Sequence, residues 1–376
     1  MAKKVLISYA SGGMGHVMAA RAIEQAFKRK YPEVEVKNVN VIDFANKPYK
    51  FFFVDGYNWV SAHAPWLWGW LYQTFNTKSR QGFPSWISRI CIAPRFIPFI
   101  REFKPDFIIS THPLPMLIVS YSKAKDVIDI LSSMVCTDFG CHSFWVDPQV
   151  NYYFGAVDNV AKCLVDYGVK NEQIAVTGIP IEEKYSLVLS KEELIKKHNL
   201  ANGLFTILIV GGQFKIDALK MIINSLIDKH DGKIQFLVVA GRDNNLKEAL
   251  DKTDLNKRFA NVKVFGFIDY MHELMTVSDL IFSKAGGLTV SECMAKGLPM
   301  VINKVIPGQE EDNVEYLVSH NAAVKASNVE EIVLAIDGLI GNPNKVAAMK
   351  ESARSIGRSN SSEKLADFVY EKINES

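Results

Sequence analysis

The sequence predicts an α/β protein of two doubly wound domains. Two observations carry that expectation. Short apolar runs alternate with stretches of helical periodicity along the chain, the pattern of parallel strands joined by crossover helices. The length, 376 residues with 48% hydrophobic and 22% charged, is enough for two such units, each with its own core.

Taken in order, Val5–Tyr9 is a short buried strand, and SGGMGH from Ser11 to His16 is the loop after it. A helix follows over 17–30, with Ala19, Ala20, Ile23 and Phe27 on its buried face. Strand, glycine loop and helix together raise a dinucleotide site, but the best alignment, Gly13-x-Gly15-x-x-Met18, lacks the third glycine. Further strands at Phe107–Ser110 and Ser133–Thr137 run into Thr111-His112-Pro113 and Asp138, polar residues at the carboxyl ends where open parallel sheets hold ligand groups. A charged stretch places the linker at about 182–203, dividing the chain into 1–185 and 186–376. The second unit repeats the alternation with strands at Thr206–Val210, Gln235–Ala240, Val262–Phe267, Leu280–Ser283 and Met300–Val305. From Glu330 onward the pattern is helical, ending in a helix over about Ser361–Ile373.

The net charge of +2 is unremarkable, but its distribution is uneven. Between Ala45 and Pro105 there are eight Lys/Arg against Asp55 and Glu102, so the window carries about +6 and the remainder about −4. The same window holds sixteen of the 41 aromatics and five of the six tryptophans, among them Trp66, Trp68 and Trp70. Rings that favour the bilayer interface, interleaved with Lys and Arg that meet anionic headgroups, suit a membrane surface. A helical subdomain core would use aromatics too. Single-stranded nucleic acid would stack on them, but the near-neutral charge of the whole chain speaks against that partner. No run of eighteen apolar residues exists and the apolar run near the amino terminus is too short for a signal peptide, so the expectation is a cytoplasmic protein lying on the inner face of the membrane. Five cysteines without metal-type spacing fit reduced thiols.

The stretch SKAGGLTVSECMAKGLPMVINKVIPGQEEDN, from Ser283 to Asn313, carries the most chemistry. Gly286 and Gly287 break a strand and open a helix from about Thr289 to Lys296, stopped by Gly297 and Pro299. Free N–H groups and the positive dipole end there suit a phosphate, with Gly286, Gly287, Leu288 and Thr289 around it. Glu292 could accept both hydroxyls of a ribose. Gln309, Glu310, Asp312 and Asn313 make a cluster for sugar hydroxyls. Gly211, Gly212 and Gln213 after Val210 form a second phosphate-contacting turn, with Lys215 as an added charge.

GGLTVSE, GLPMV and PGQEEDN together resemble the donor-sugar motif of MurG-type glycosyltransferases, and Thr137-Asp138 through His142 to Trp145, with the His112-Pro113 pair, resembles the monogalactosyldiacylglycerol synthase and diacylglycerol glucosyltransferase branch. The resemblance implies the GT-B fold, two Rossmann-like domains facing a cleft, a UDP-sugar donor, inversion at the anomeric carbon, and no metal or other cofactor. It places Gly15 and His16 on the acceptor side, with His16 as the proton acceptor and Asp138 as a second candidate for that role. His112, His142 and Trp145 belong with acceptor or phosphate, and Gly266-Phe267-Ile268 with the uracil. The expected reaction moves glucose or galactose from a UDP-sugar to diacylglycerol or a related lipid. The alternatives are MurG-like transfer of N-acetylglucosamine to a polyprenyl-linked precursor, a UDP-sugar epimerase of the same architecture, and a non-catalytic UDP-sugar sensor.

Overall fold

The computed structural model describes residues 2–11, 13–50, 89–210, 215–230, 232–252, 261–303 and 310–375. Trp66, Trp68, Trp70, Gly212, Gln213 and Gln309 lie outside the described residues. Two six-stranded parallel sheets form the frame. The first contains β1 (Lys4–Tyr9), β2 (Glu35–Asn40), β3 (Phe107–Ser110), β4 (Leu131–Val135), β5 (Tyr152–Gly155) and β6 (Ile174–Val176) in the order β2-β1-β3-β4-β5-β6. The second contains β7 (Phe205–Val210), β8 (Ile234–Val239), β9 (Val262–Phe265), β10 (Leu280–Ser283), β11 (Met300–Ile302) and β12 (Ala323–Lys325) in the order β12-β11-β10-β7-β8-β9. Central strands are covered on both faces, which is why they read as unbroken apolar runs: Leu6, Ile7, Ile207, Leu208 and Ile209 are fully buried. Edge strand β2, Glu-Val-Lys-Asn-Val-Asn, has no such run and carries no apolar signal in the sequence.

Strand order fixes where a ligand can enter. In the first sheet the chain passes from β1 to β2 and then crosses to β3 on the other side of β1; in the second, β8 and β9 lie on one side of β7 and β10 on the other. Connections leave in opposite directions at these two points, and each opens a crevice beyond the strands' carboxyl ends. His16 and Thr111 follow the first pair, and Gly286 follows β10 of the second.

Five helices matter for the site and are numbered in chain order: α1 (Met14–Lys30), α2 (Pro113–Ala124), α3 (Gly287–Lys296), α4 (Glu311–Ser319) and α5 (Ser361–Glu375). Helix α1 begins three residues before its predicted start, so Gly15 and His16 stand in its first turn instead of in a loop. Lys28, Arg29 and Lys30 close it with positive charge against the negative end of its dipole. Helix α5 buries Leu365, Ala366, Val369 and Ile373 against Val5, Ile7, Ala20, Ile23 and Phe27. Each large aliphatic side chain so buried contributes about 1.5–3 kcal/mol. Tyr370 stacks on Tyr31 at 3.8 Å, and the hydroxyls of Ser361 and Ser362 donate to the carbonyls of Ile179 and Ile181. The chain's last helix therefore completes the core of the first sheet.

Candidate active site

On the first-domain side the imidazole of His16 is set by two strand ends. Its Nδ1 lies 2.5 Å from the carbonyl oxygen of Thr111 after β3 and 3.2 Å from the hydroxyl of Thr137 after β4. A carbonyl can only accept, so Nδ1 carries the proton and Nε2 presents the lone pair. The Thr111 hydroxyl returns a bond to the His16 carbonyl at 3.0 Å, locking strand end to helix. Burial pulls the His16 pKa down to about 4, against the Thr111 hydrogen bond that raises it, so the ring is neutral at physiological pH. His112 stands edge-on to His16 with centroids 4.6 Å apart. A Cβ added at Gly13 or Gly15 would meet nothing within 4 Å among the described residues.

On the second-domain side Gly286 caps α3 in an extended conformation and Gly287 begins it. The Lys284 ammonium reaches this end of the helix, where Glu310 holds it at 3.0 Å. A helix amino end and a lysine together favour negative charge, and Lys284 was not singled out from the sequence. Further along the helix, Glu292 is 8% exposed and hydrogen-bonded to Tyr185, a residue of the linker with no motif to mark it. Burial lifts its carboxyl to about 8, opposed by the Tyr185 bond and the Lys184 charge. Leu288 and Thr289 are half-buried on the first turn of α3.

The two sides touch. Asp138, Phe139 and Gly140 form a turn after β4 that fits between the amino ends of α3 and α4. Asn313 is fully buried; its amide oxygen accepts from the Phe139 N–H at 2.7 Å, and its nitrogen donates to Asp138 Oδ1 at 3.1 Å and to the Ala285 carbonyl at 2.8 Å. Both amide protons are therefore given to protein acceptors. Glu310 is likewise engaged with Lys284, and Asp312 leans over Gly140. Burial raises the Asp138 carboxyl to about 7, with Asn313 and Lys284 opposing and Glu310 and Asp312 adding to the rise. Thr137 joins the halves most closely: its hydroxyl meets His16 and its carbonyl oxygen lies against Gly287.

Two of the expected site residues are buried. Trp145 is 5% exposed within the main apolar cluster. His142 is fully buried, packs on Phe144 at 4.0 Å and caps a short helical turn by accepting from the Phe144 N–H. His112 makes the same kind of cap at the start of α2, accepting from the Leu114 N–H at 3.0 Å. Phe267 is 64% exposed, with the Arg242 guanidinium 5.1 Å from its ring centre.

Residues 16–181 match the family model for monogalactosyldiacylglycerol (MGDG) synthase, and residues 206–369 match that for the glycosyltransferase family 28 C-terminal domain. The processive diacylglycerol beta-glucosyltransferase of Bacillus thuringiensis (strain Al Hakam) is 30% identical over 98% of this chain and 94% of its own. Among solved structures, MurG of Acinetobacter baumannii superposes with a TM-score of 0.60 at 15% identity over 98% of this chain and 99% of its own. The UDP-GlcNAc 2-epimerase of Neisseria meningitidis bound to UDP-GlcNAc gives 0.64 at 16% over 98% of this chain and all of its own. At those identities the structural likenesses establish the fold alone, two Rossmann-like domains of the GT-B kind. The likeness across nearly the whole sequence goes further: this chain belongs to the diacylglycerol glucosyltransferase family and is a hexose-transferring glycosyltransferase.

Proposed function

We propose that the protein moves glucose from UDP-glucose to the hydroxyl of diacylglycerol at an anionic membrane surface, inverting the anomeric carbon, with His16 as general base and without a metal. The observation that supports this reading is the line from His16 through Thr137 to Gly287, in which one residue touches the imidazole with its hydroxyl and the amino end of α3 with its carbonyl. With Nδ1 committed to Thr111, Nε2 takes the proton from the lipid hydroxyl as that oxygen attacks. The bond to the departing UDP breaks on the opposite face, and the N–H groups at Gly286–Gly287 and the Lys284 ammonium receive the charge that develops on the diphosphate. Those donors supply what a divalent ion supplies elsewhere. Glu292 takes the ribose hydroxyls, displacing its bond to Tyr185, and Gly266-Phe267-Ile268 takes the base. Closure over the donor keeps water from competing with the lipid. Glucose is favoured over galactose because the relatives are named as glucosyltransferases. None of the described helices is long and apolar enough to cross a membrane. The aromatic, basic window of residues 45–105 would instead hold the protein on the bilayer surface.

The test is release of UDP from UDP-glucose and from UDP-galactose, each with and without diacylglycerol in anionic liposomes, with and without EDTA. Lipid-dependent release from UDP-glucose that survives EDTA and is lost in His16→Ala is the expected result. Turnover that needs no lipid, or a hexose epimerised while still attached to UDP, would replace this reading with the epimerase. A requirement for divalent ion would remove the metal-free part of it.

A further inference from the structure

We propose that Asn313 is a positioning residue that latches the second domain onto the first and holds Asp138 against the amino end of α3, so that the two halves of the site come into register through it. The proposal rests on the reading given under Proposed function and assigns Asn313 a task other than gripping sugar. A side-chain amide has two protons to give, and both are spent: one on Asp138 Oδ1 in the first domain and one on the Ala285 carbonyl beside α3. Its oxygen takes the Phe139 N–H. One buried side chain thus ties three points, two on the turn after β4 and one just before the helix that would bind the diphosphate.

The surfaces on either side are shaped for this contact. Gly140, from the first domain, lies under the Asp312 carboxylate, and Gly287, from the second, lies against the Thr137 carbonyl. A Cβ at either place would overlap those atoms, so each domain contributes a glycine where the other approaches. Phe139 stacks on Tyr316 of α4 at 4.9 Å beside the latch. Because the same turn carries Thr137, which touches His16, closing the latch also fixes the base. The charged groups facing Asp138 are Lys284, Glu310 and Asp312, all from the second domain. Its protonation is therefore sensitive to whether the domains are closed.

The test uses the full-length protein in the liposome assay. Asn313→Ala should lower kcat by ~10- to 100-fold, the scale of a small misplacement in an assembled site, while the KM for UDP-glucose and the Kd for UDP stay within a few-fold of wild type. In an Asp138→Ala background, which removes the acceptor that Asn313 donates to, the same substitution should cost less. Small-angle scattering with UDP bound should show the alanine variant more open than wild type. If Asn313→Ala does not fold, Asn313→Asp serves. It keeps the acceptor for Phe139 but sets two carboxylates together, and Asp138→Asn added to it should restore the compact form. A raised KM for UDP-glucose with kcat preserved, or losses from Asn313→Ala and Asp138→Ala that simply multiply, would overturn the latch. Failure of wild-type protein to transfer hexose to lipid would instead remove the functional reading on which it rests.

Discussion

The junction from β1 into α1 and the junction from β10 into α3 are built alike: a buried strand, a pair of nearby glycines, and a helix amino end turned toward the cleft. Their glycines serve opposite purposes. A Cβ at Gly13 or Gly15 would meet nothing within 4 Å among the described residues. Gly287 has the Thr137 carbonyl, Asp138 and Ile179 crowded around its Cα. None of the three adopts a left-handed conformation, so backbone strain does not explain any of them. At the first junction the absence of a side chain leaves room for something outside the chain. At the second it admits the other domain. The comparison teaches that a glycine motif seen in sequence does not say what the glycine makes way for.

Substitutions can break the comparison. His16→Ala should have the largest effect, a ~10²- to 10⁴-fold fall in lipid-dependent kcat, the usual contribution of a positioned general base. Gly287→Ala comes next. Its methyl group meets backbone, which cannot swing aside, so the cleft should fail to close and kcat should fall on the order of 10²-fold, with the fold intact by circular dichroism. Gly15→Ala should behave in the contrary way. In the first turn of α1 alanine is preferred over glycine by roughly 0.5–1 kcal/mol, so thermal stability should rise slightly while the KM for the lipid increases. A stability loss in Gly15→Ala, or full activity in Gly287→Ala, would erase the distinction between the junctions.

The smallest effect sharpens the picture of the second junction. Burial holds Glu292 protonated up to about 8, whereas the unfolded chain releases that proton near 4.5. Between those values the folded protein binds more protons, so its stability from this group falls as pH rises. Glu292→Gln has no proton to lose. Its melting temperature should therefore gain on wild type steadily from pH 5 to pH 8 (values within the window of roughly the two pKa values). A difference between the two that does not vary with pH would place Glu292 in a more solvated setting than the structure gives it.

Much of the fold was legible because central parallel strands are buried on both faces and so must be apolar end to end. Phe107–Ser110 and Leu280–Ser283 are found where the sequence puts them. Edge and short strands escaped: β2 alternates polar residues, and β6 and β12 have three residues each, too few for a period to show. The glycine turns and His16 stood out because local sequence reports strand-to-helix junctions. What joins the two halves did not, because Asn313, Asp138, Gly140 and Gly287 meet only through the tertiary fold, with 175 positions between the first two. The burial of Trp145 and His142 was hidden for a related reason: an aromatic or imidazole beside a motif looks the same in sequence whether it is exposed or buried.

The central claim is that His16, fixed by Thr111 and Thr137, is the base, while Asp138 is held by the latch. The most direct test is the pH dependence of kcat/KM, which reports the free enzyme's essential groups. A base at His16 loses activity only as pH falls toward about 4, and a base at Asp138 would lose it below about 7. The account predicts an acidic limb well below 7 that persists in Asp138→Asn. A limb near 7 that disappears in Asp138→Asn would contradict it and move the base to the carboxylate.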